Sequence, residues 1–142
     1  MSRRRRRLEL RDLGFAATPG TWPYGPYEGG FLVTEAGQGS IALTRTEEDA
    51  RFLIAARPDV VLRVLSGLPI TPEQEQALRT AAAAATAGKW VAEGRWDVGP
   101  FAQVSVVAVT GGAAERVGMF SRDADAAYAA ALRPDRLIAL LF

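Results

Sequence analysis

The chain has 142 residues, of which 49% are hydrophobic and 23% are charged, a balance typical of a folded globular protein. It contains no cysteine and no histidine, which excludes disulfides, thiolate metal sites and the commonest general base. The formal net charge is +1, but five of the 17 basic residues lie between Arg3 and Arg7. A basic segment therefore precedes a mildly acidic remainder.

The expected elements begin with a short helix from about Arg6 to Gly14. A Gly/Pro-rich loop follows and carries Trp22, Tyr24 and Tyr27. Residues 31–34 and 41–44 then form a hairpin around a turn at 37–39. Two short helices follow and meet at the Arg-Pro-Asp triplet 57–59, because proline disfavours helix at the residue before it and favours a helix start.

A stronger helix signal opens the second part of the chain. Thr71-Pro72-Glu73-Gln74 has the form of a capping box with proline at the first helical position, and an alanine-rich run continues the helix to about Thr86. Strands are expected at 89–93, 104–109 and 116–120, with a turn after Thr110. The strand 104–109 is apolar on both faces, which predicts a central, covered position. Two helices meeting at a second Arg-Pro-Asp triplet, 133–135, end the pattern.

The two parts resemble each other residue by residue. Leu10 to Trp22 matches Leu78 to Trp90 at seven of thirteen positions, including both tryptophans. Asp49 to Leu65 matches Asp125 to Leu141, with an Arg-Pro-Asp triplet in each. Paired tryptophans and triplets in the same order are hard to obtain from composition alone, so we expect a tandem duplication.

We therefore expect an α+β fold in which two tandem α-β-β(-β)-α-α repeats share a mostly antiparallel sheet, with helices packed against it and a pseudo-twofold axis between them. The expected boundaries are a basic N-terminal tail at 1–7, a first repeat at 8–68 and a second at 69–142. Neither repeat alone has apolar surface to spare, so the two form one compact domain. The expected structural anchors are Trp22, Trp90, Arg57, Pro58, Asp59, Arg133, Pro134 and Asp135.

The leading functional hypothesis is a small non-catalytic binding or regulatory protein that acts through an unidentified protein partner. Aromatic side chains in Gly/Pro-rich loops suit binding hot spots, and the candidates are Tyr24, Tyr27, Trp96 and Phe101. The alternative for these side chains is that they pack against the sheet. The two Arg-Pro-Asp triplets are candidates for a polar site near the pseudo-twofold axis, although their role in starting helices accounts for them without a site.

The alternative function is a nucleic-acid-associated accessory factor. A run of arginines neutralises phosphates and gives salt-sensitive, sequence-independent binding, and the run here comprises Arg3, Arg4, Arg5, Arg6 and Arg7. The competing interpretation is a solvated tail, because no aromatic residue is interleaved with it as a single-strand stacking platform requires.

Catalysis is the third hypothesis. The chain has no P-loop, no dinucleotide fingerprint and no nucleophile elbow. A carboxylate pair chosen from Glu28, Glu35, Glu93 and Asp97 remains for acid–base or Mg²⁺ chemistry, but nothing in their spacing singles out a pair. We expect no enzyme activity, no cofactor and no metal site. No signal sequence or membrane span is found, so we expect a cytoplasmic protein without membrane contact, as a monomer or, alternatively, a homodimer.

Two stretches, Ala17 to Trp22 and Asp49 to Leu65, resemble small uncharacterised proteins of GC-rich bacteria and their phages, and are similar to the phage early-region Ead-type family. Degraded copies lie at Ala85 to Trp90 and Asp125 to Leu141. The resemblance implies an accessory protein of a phage or mobile element and transfers no catalytic residue. Because that family typically shows the module once, it also implies that this chain is a fused dimer that acts as a monomer.

Overall fold

The computed structural model describes residues 2–36, 39–98 and 101–142, without the side chains of 95–98 and 101–102. Its elements in chain order are α1 (Arg3–Ala16), β1 (Tyr24–Tyr27), β2 (Gly30–Glu35), β3 (Gly39–Thr44), α2 (Glu47–Ala55), α3 (Pro58–Leu65), α4 (Pro72–Ala84), β4 (Lys89–Val98), β5 (Phe101–Thr110), β6 (Ala113–Phe120), α5 (Asp123–Leu132) and α6 (Pro134–Leu141). The expected α+β class is confirmed. The hairpin turn predicted at 37–39 lies largely outside the described residues.

The six strands form one antiparallel sheet in the order β1-β2-β3-β6-β5-β4. In its middle β3 pairs with β6, with Leu43 opposite Met119. The backbone N–H of Arg45 donates to Val117 O at 3.0 Å, and that of Ser121 donates to Ile41 O at 3.1 Å. The strand order of the sheet is symmetric about this central pair: exchanging β1, β2 and β3 with β4, β5 and β6 gives the same order read from the other edge.

The helices pack on one face of this sheet. α2 contacts β1, β2 and β3, whereas α5 contacts β4, β5 and β6. α1, the first helix of the first half, packs against α5 of the second half. α4, the first helix of the second half, packs against α2 of the first half. The buried core between helices and sheet includes Trp22, Trp90, Phe52, Tyr128 and Phe120. In the described part of the chain, none of the helices combines the length and apolarity that crossing a bilayer requires.

Local sequence accounts for most helix boundaries. Thr71 accepts from the backbone of Gln74 and the Gln74 side chain accepts from the Thr71 N–H, which completes the predicted capping box of α4. α3 and α6 begin at Pro58 and Pro134 as expected, since proline fits the first helical position. The break before α6 differs from that before α3, because Arg133 has a φ of +46° in the left-handed region.

Three expectations are corrected. The arginine run is not a tail: α1 begins at Arg3, with Ser2 as its N-cap, so the run forms the first turns of the helix. The segment Tyr24–Tyr27 is not a loop but β1, whose Pro26 is tolerated because β1 is an edge strand. β5 does lie inside the sheet, but the expected cover is present on only one of its faces.

Candidate binding surfaces

The predicted aromatic positions lie on opposite edges of the sheet. Tyr24 and Tyr27 belong to β1, whereas the backbones of Trp96 and Phe101 belong to the hairpin of β4 and β5. β1 and β4 are separated by five strand spacings, or about 24 Å. The side chains of Trp96 and Phe101 lie outside the described residues. The four positions therefore do not converge on one edge.

Tyr24 and Tyr27 have different surroundings. Arg51 Nε donates to the Tyr24 hydroxyl at 3.0 Å, and the Tyr24 ring packs edge-on against Phe31 with the ring centroids 6.5 Å apart. The hydrogen bond from Arg51 to Tyr24, together with Glu47, raises the pKa of Arg51. Tyr27 is 50% exposed. Tyr24 is thus held in place by neighbours, and Tyr27 is the one of the two that faces solvent.

Trp22 and Trp90 lie in the core and tie the two halves together. They are 1% and 2% exposed, and each indole N–H donates to the carbonyl of a threonine four residues before it, Thr18 at 3.1 Å and Thr86 at 2.9 Å. Each ring meets an aromatic ring of the other half edge-on, Trp22 with Tyr128 and Trp90 with Phe52.

Two buried aspartates repeat this crossing between halves. Asp125 accepts from the Thr18 N–H and from Thr18 Oγ1, both at 2.7 Å, and Asp49 accepts from the Thr86 N–H at 2.7 Å and from Thr86 Oγ1 at 2.6 Å. Both aspartates are 0% exposed and occupy the third position of α5 and α2. In the sequence these aspartates were noted only as the first residues of the two matching segments. The signal for more was present, since Thr-x-Gly-x-Trp occurs twice and Asp49-Ala50 and Asp125-Ala126 begin the two matching segments.

The two Arg-Pro-Asp triplets form separate ion pairs. Arg57 Nε lies 2.9 Å from Asp59 Oδ1, and Arg133 Nη2 lies 3.0 Å from Asp135 Oδ2. Each arginine thus pairs within its own triplet, and among the described contacts no hydrogen bond or ion pair joins one triplet to the other. Of the four candidate carboxylates, the side chain of Asp97 lies outside the described residues, and the other three are dispersed. Glu28 and Glu35 are separated by the length of β2, about 16 Å, and Glu93 lies on the opposite edge strand, β4.

The face of the sheet opposite the helices carries a group of apolar side chains among polar ones. Cross-strand neighbours share a face of a sheet, so the register Leu32–Leu43–Met119 places three apolar residues in one row, and the pair Val107–Val91 lies beside it. We call these five residues the outer face. None of them belongs to the hydrophobic core that the described residues form with the helices. Four are partly exposed, and Val107 is buried among its neighbours.

A second surface is basic and surrounds α1. Arg3 Nε donates to Ala139 O at 3.4 Å, and Arg7 Nη1 donates to Leu140 O at 2.7 Å, so both arginines lie against the C-terminal carbonyls of α6. Cavities at this junction are lined by arginines of α1 together with Lys89, Arg133 and Arg136. Sequence reasoning did not connect these three cations with the arginine run, since they lie far from it along the chain.

In comparisons with known proteins, no family model, no curated protein and no solved structure matches this chain.

Proposed function

We propose that this chain is a small non-catalytic binding protein whose outer face binds a protein partner. The observation that carries the proposal is the apolar character of the outer face. Antiparallel sheets with one face in water usually alternate apolar and polar residues, and polar residues then occupy the solvent side. β5 departs from this rule, because Val107 and Val109 lie on the side away from the helices.

The composition of the outer face matches the anatomy of protein interfaces. Its apolar centre is bordered by charged residues on the same face, Glu93 opposite Ser105 and Arg116 opposite Val107. Interfaces combine an apolar centre with a polar rim, and fully burying a leucine or methionine stabilises by about 1.5–3 kcal/mol. The partner that fits is a protein with an apolar surface of its own and charges complementary to Glu93 and Arg116.

The test compares three forms of the tagged protein in nuclease-treated lysate: wild type, Met119→Lys, and Ala83→Lys as a control at an exposed position on α4. We expect a partner protein retained by wild type and by Ala83→Lys, and released by Met119→Lys. Circular dichroism verifies that each variant is folded. Identical recovery from all three forms contradicts the proposal.

Sedimentation velocity separates a partner from self-association. We expect wild type and Met119→Lys to sediment as monomers at micromolar concentration. A wild-type dimer that dissociates in the Met119→Lys variant would assign the outer face to a second copy of this chain and overturn the proposal of a different partner.

We also propose that the two halves descend from one ancestral unit by duplication. The support is the repeated sequence together with the reciprocal contacts, in which each half supplies a threonine–tryptophan segment to a helix of the other. Such a crossed arrangement is what fusion of a swapped dimer would leave. On this proposal the protein is a cytoplasmic accessory factor of phage or mobile-element type.

A further inference from the structure

We infer that the chain has a second binding surface, built on α1, that takes the phosphate backbone of duplex nucleic acid. This basic surface consists of the cations that line three adjoining cavities of the described structure: Arg3, Arg4, Arg6, Arg7, Arg11, Lys89, Arg133 and Arg136. Glu9 is the one carboxylate among the lining residues of these cavities, and Asp135 lies close to them, 3.0 Å from Arg133 Nη2 and 3.9 Å from Arg136 Nε. The inference uses none of the five outer-face residues, because none of them lines these cavities.

The geometry makes one continuous surface from cations that are distant in sequence. The largest of these three cavities, about 470 Å³, is lined by Arg6 together with Lys89, Arg133 and Arg136. Arg6 and Arg136 also line a cavity of about 240 Å³, which shares Arg3 with a third of about 320 Å³. The hydrogen bonds of Arg3 and Arg7 to α6 carbonyls fix α1 against α6, so these charges are held in place on a rigid support.

Helix stability does not explain the arginines. α4 occupies the matching position in the other half and carries Glu73 and Glu75 in its first turn, where negative charge is favourable. α1 has no acidic residue in its first turn and places five arginines at the positive end of the helix, where they repel one another and oppose the dipole. Among the described contacts, Arg4 and Arg11 make no hydrogen bond or ion pair. Residues that oppose local stability without a structural partner are typical of functional sites.

The chemistry of the surface selects phosphates rather than bases. Arginine forms paired hydrogen bonds with phosphate oxygens. No aromatic side chain lines the three cavities, so the surface lacks the stacking platform that single-strand binding uses. Its cations line concave cavities, which a planar bilayer cannot enter but the ridge of a duplex backbone can. Duplex binding that is independent of sequence and steeply dependent on salt is the expected result.

The experiment measures binding of a fluorescein-labelled DNA duplex by fluorescence anisotropy over a salt series. Two charge-neutralising pairs probe the surface: Arg4→Gln with Arg11→Gln, and Lys89→Gln with Arg136→Gln. Arg45→Gln with Arg51→Gln removes the same charge from residues outside the surface and is the matched control. Thermal unfolding verifies that every variant is folded.

The plot of log K against log salt has a negative slope, and each lost phosphate contact makes that slope less steep by about 0.9. At 0.1 M salt this corresponds to about an eightfold loss of affinity. We therefore expect about a 60-fold loss for either surface pair and a much smaller change for the control. Met119→Lys leaves the duplex affinity unchanged, which separates this inference from the proposed protein partner.

Three results would overturn the inference. The first is absence of duplex binding at low salt. The second is a loss confined to the Arg4/Arg11 pair, because the arginine run would then act alone and Lys89 and Arg136 would take no part. The third is preference for another polyanion, measured as tighter binding to inorganic polyphosphate or to phosphatidylserine vesicles than to the duplex at equal phosphate concentration.

Discussion

Replacing Asp125 by alanine tests whether the two halves are stabilised by the contacts that cross between them. The Asp125 carboxylate is fully buried and accepts two hydrogen bonds from Thr18, which lies 107 positions earlier in the chain and is itself 2% exposed. The substitution leaves the N–H and the hydroxyl of Thr18 without this acceptor. The Thr18 hydroxyl also accepts a hydrogen bond from Arg122 Nη1 at 3.0 Å, so the substitution affects the partner of Arg122 as well.

The magnitude follows from the number of hydrogen bonds. Hydrogen bonds to charged groups contribute about 1.5–3 kcal/mol each, and buried donors without acceptors carry a similar penalty. We expect Asp125→Ala to lower the free energy of unfolding by about 3–5 kcal/mol. For a chain of this length that corresponds to a fall in Tm of about 10–20 °C.

The assay is urea unfolding followed by far-ultraviolet circular dichroism and by tryptophan fluorescence, which reports on the buried Trp22 and Trp90. We expect one transition with both probes, because the crossed contacts couple the halves. Asp12→Ala is the control: Asp12 is exposed on α1, and we expect a change below about 0.5 kcal/mol. A loss below about 1 kcal/mol for Asp125→Ala, or two separate transitions in the wild type, would refute this reasoning.

Two further predictions concern the core and the centre of the sheet. Burial, with a smaller contribution from Asp59, raises the pKa of Tyr128 well above its usual 10.0. The unfolded chain therefore loses this proton first, and stability falls above about pH 10 by up to about 1.4 kcal/mol per pH unit, a slope that urea unfolding should find absent in Tyr128→Phe. A methyl group at Gly118 would lie 2.8 Å from the carbonyl oxygen of Leu43 across the β3–β6 pair. We expect Gly118→Ala to lower the free energy of unfolding by about 1–3 kcal/mol, whereas Gly25→Ala, which has open space, changes it little.

Local patterns were sufficient for the elements that depend on neighbouring residues. The capping box at Thr71, the proline starts at Pro58 and Pro134 and the glycine turn between β5 and β6 all follow from short-range chemistry. β1 was missed because Gly25 and Pro26 disfavour a strand unless it lies at an edge, and edge position is a property of the whole sheet. The start of α1 was missed for a related reason, since Arg3 and Arg7 are held by α6 carbonyls more than 130 positions away.

The candidate surfaces were less predictable than the fold. The apolar pattern of β5 correctly placed it inside the sheet and implied that both of its faces are covered. The helices of this chain cover only one face, because an apolar pattern does not say what covers it. The arginine run was recognised as a candidate for binding phosphates, but it was expected to be a tail, and Lys89 and Arg136 come beside it only in the folded chain. Surfaces assembled from distant segments leave no local signature in one sequence.

The reciprocal arrangement of the halves offers a physical means of locating function. Where both halves have the same residues, as in the paired threonines, aspartates and tryptophans, the shared role is to hold the fold together. Where matching positions differ and the residues make no contact within the chain, the fold does not account for the difference. α1 and α4 carry opposite charge in their first turns. Arg3 and Arg7 donate to α6 carbonyls, so it is Arg4 and Arg11, which make no hydrogen bond or ion pair among the described contacts, that most need the proposed binding role.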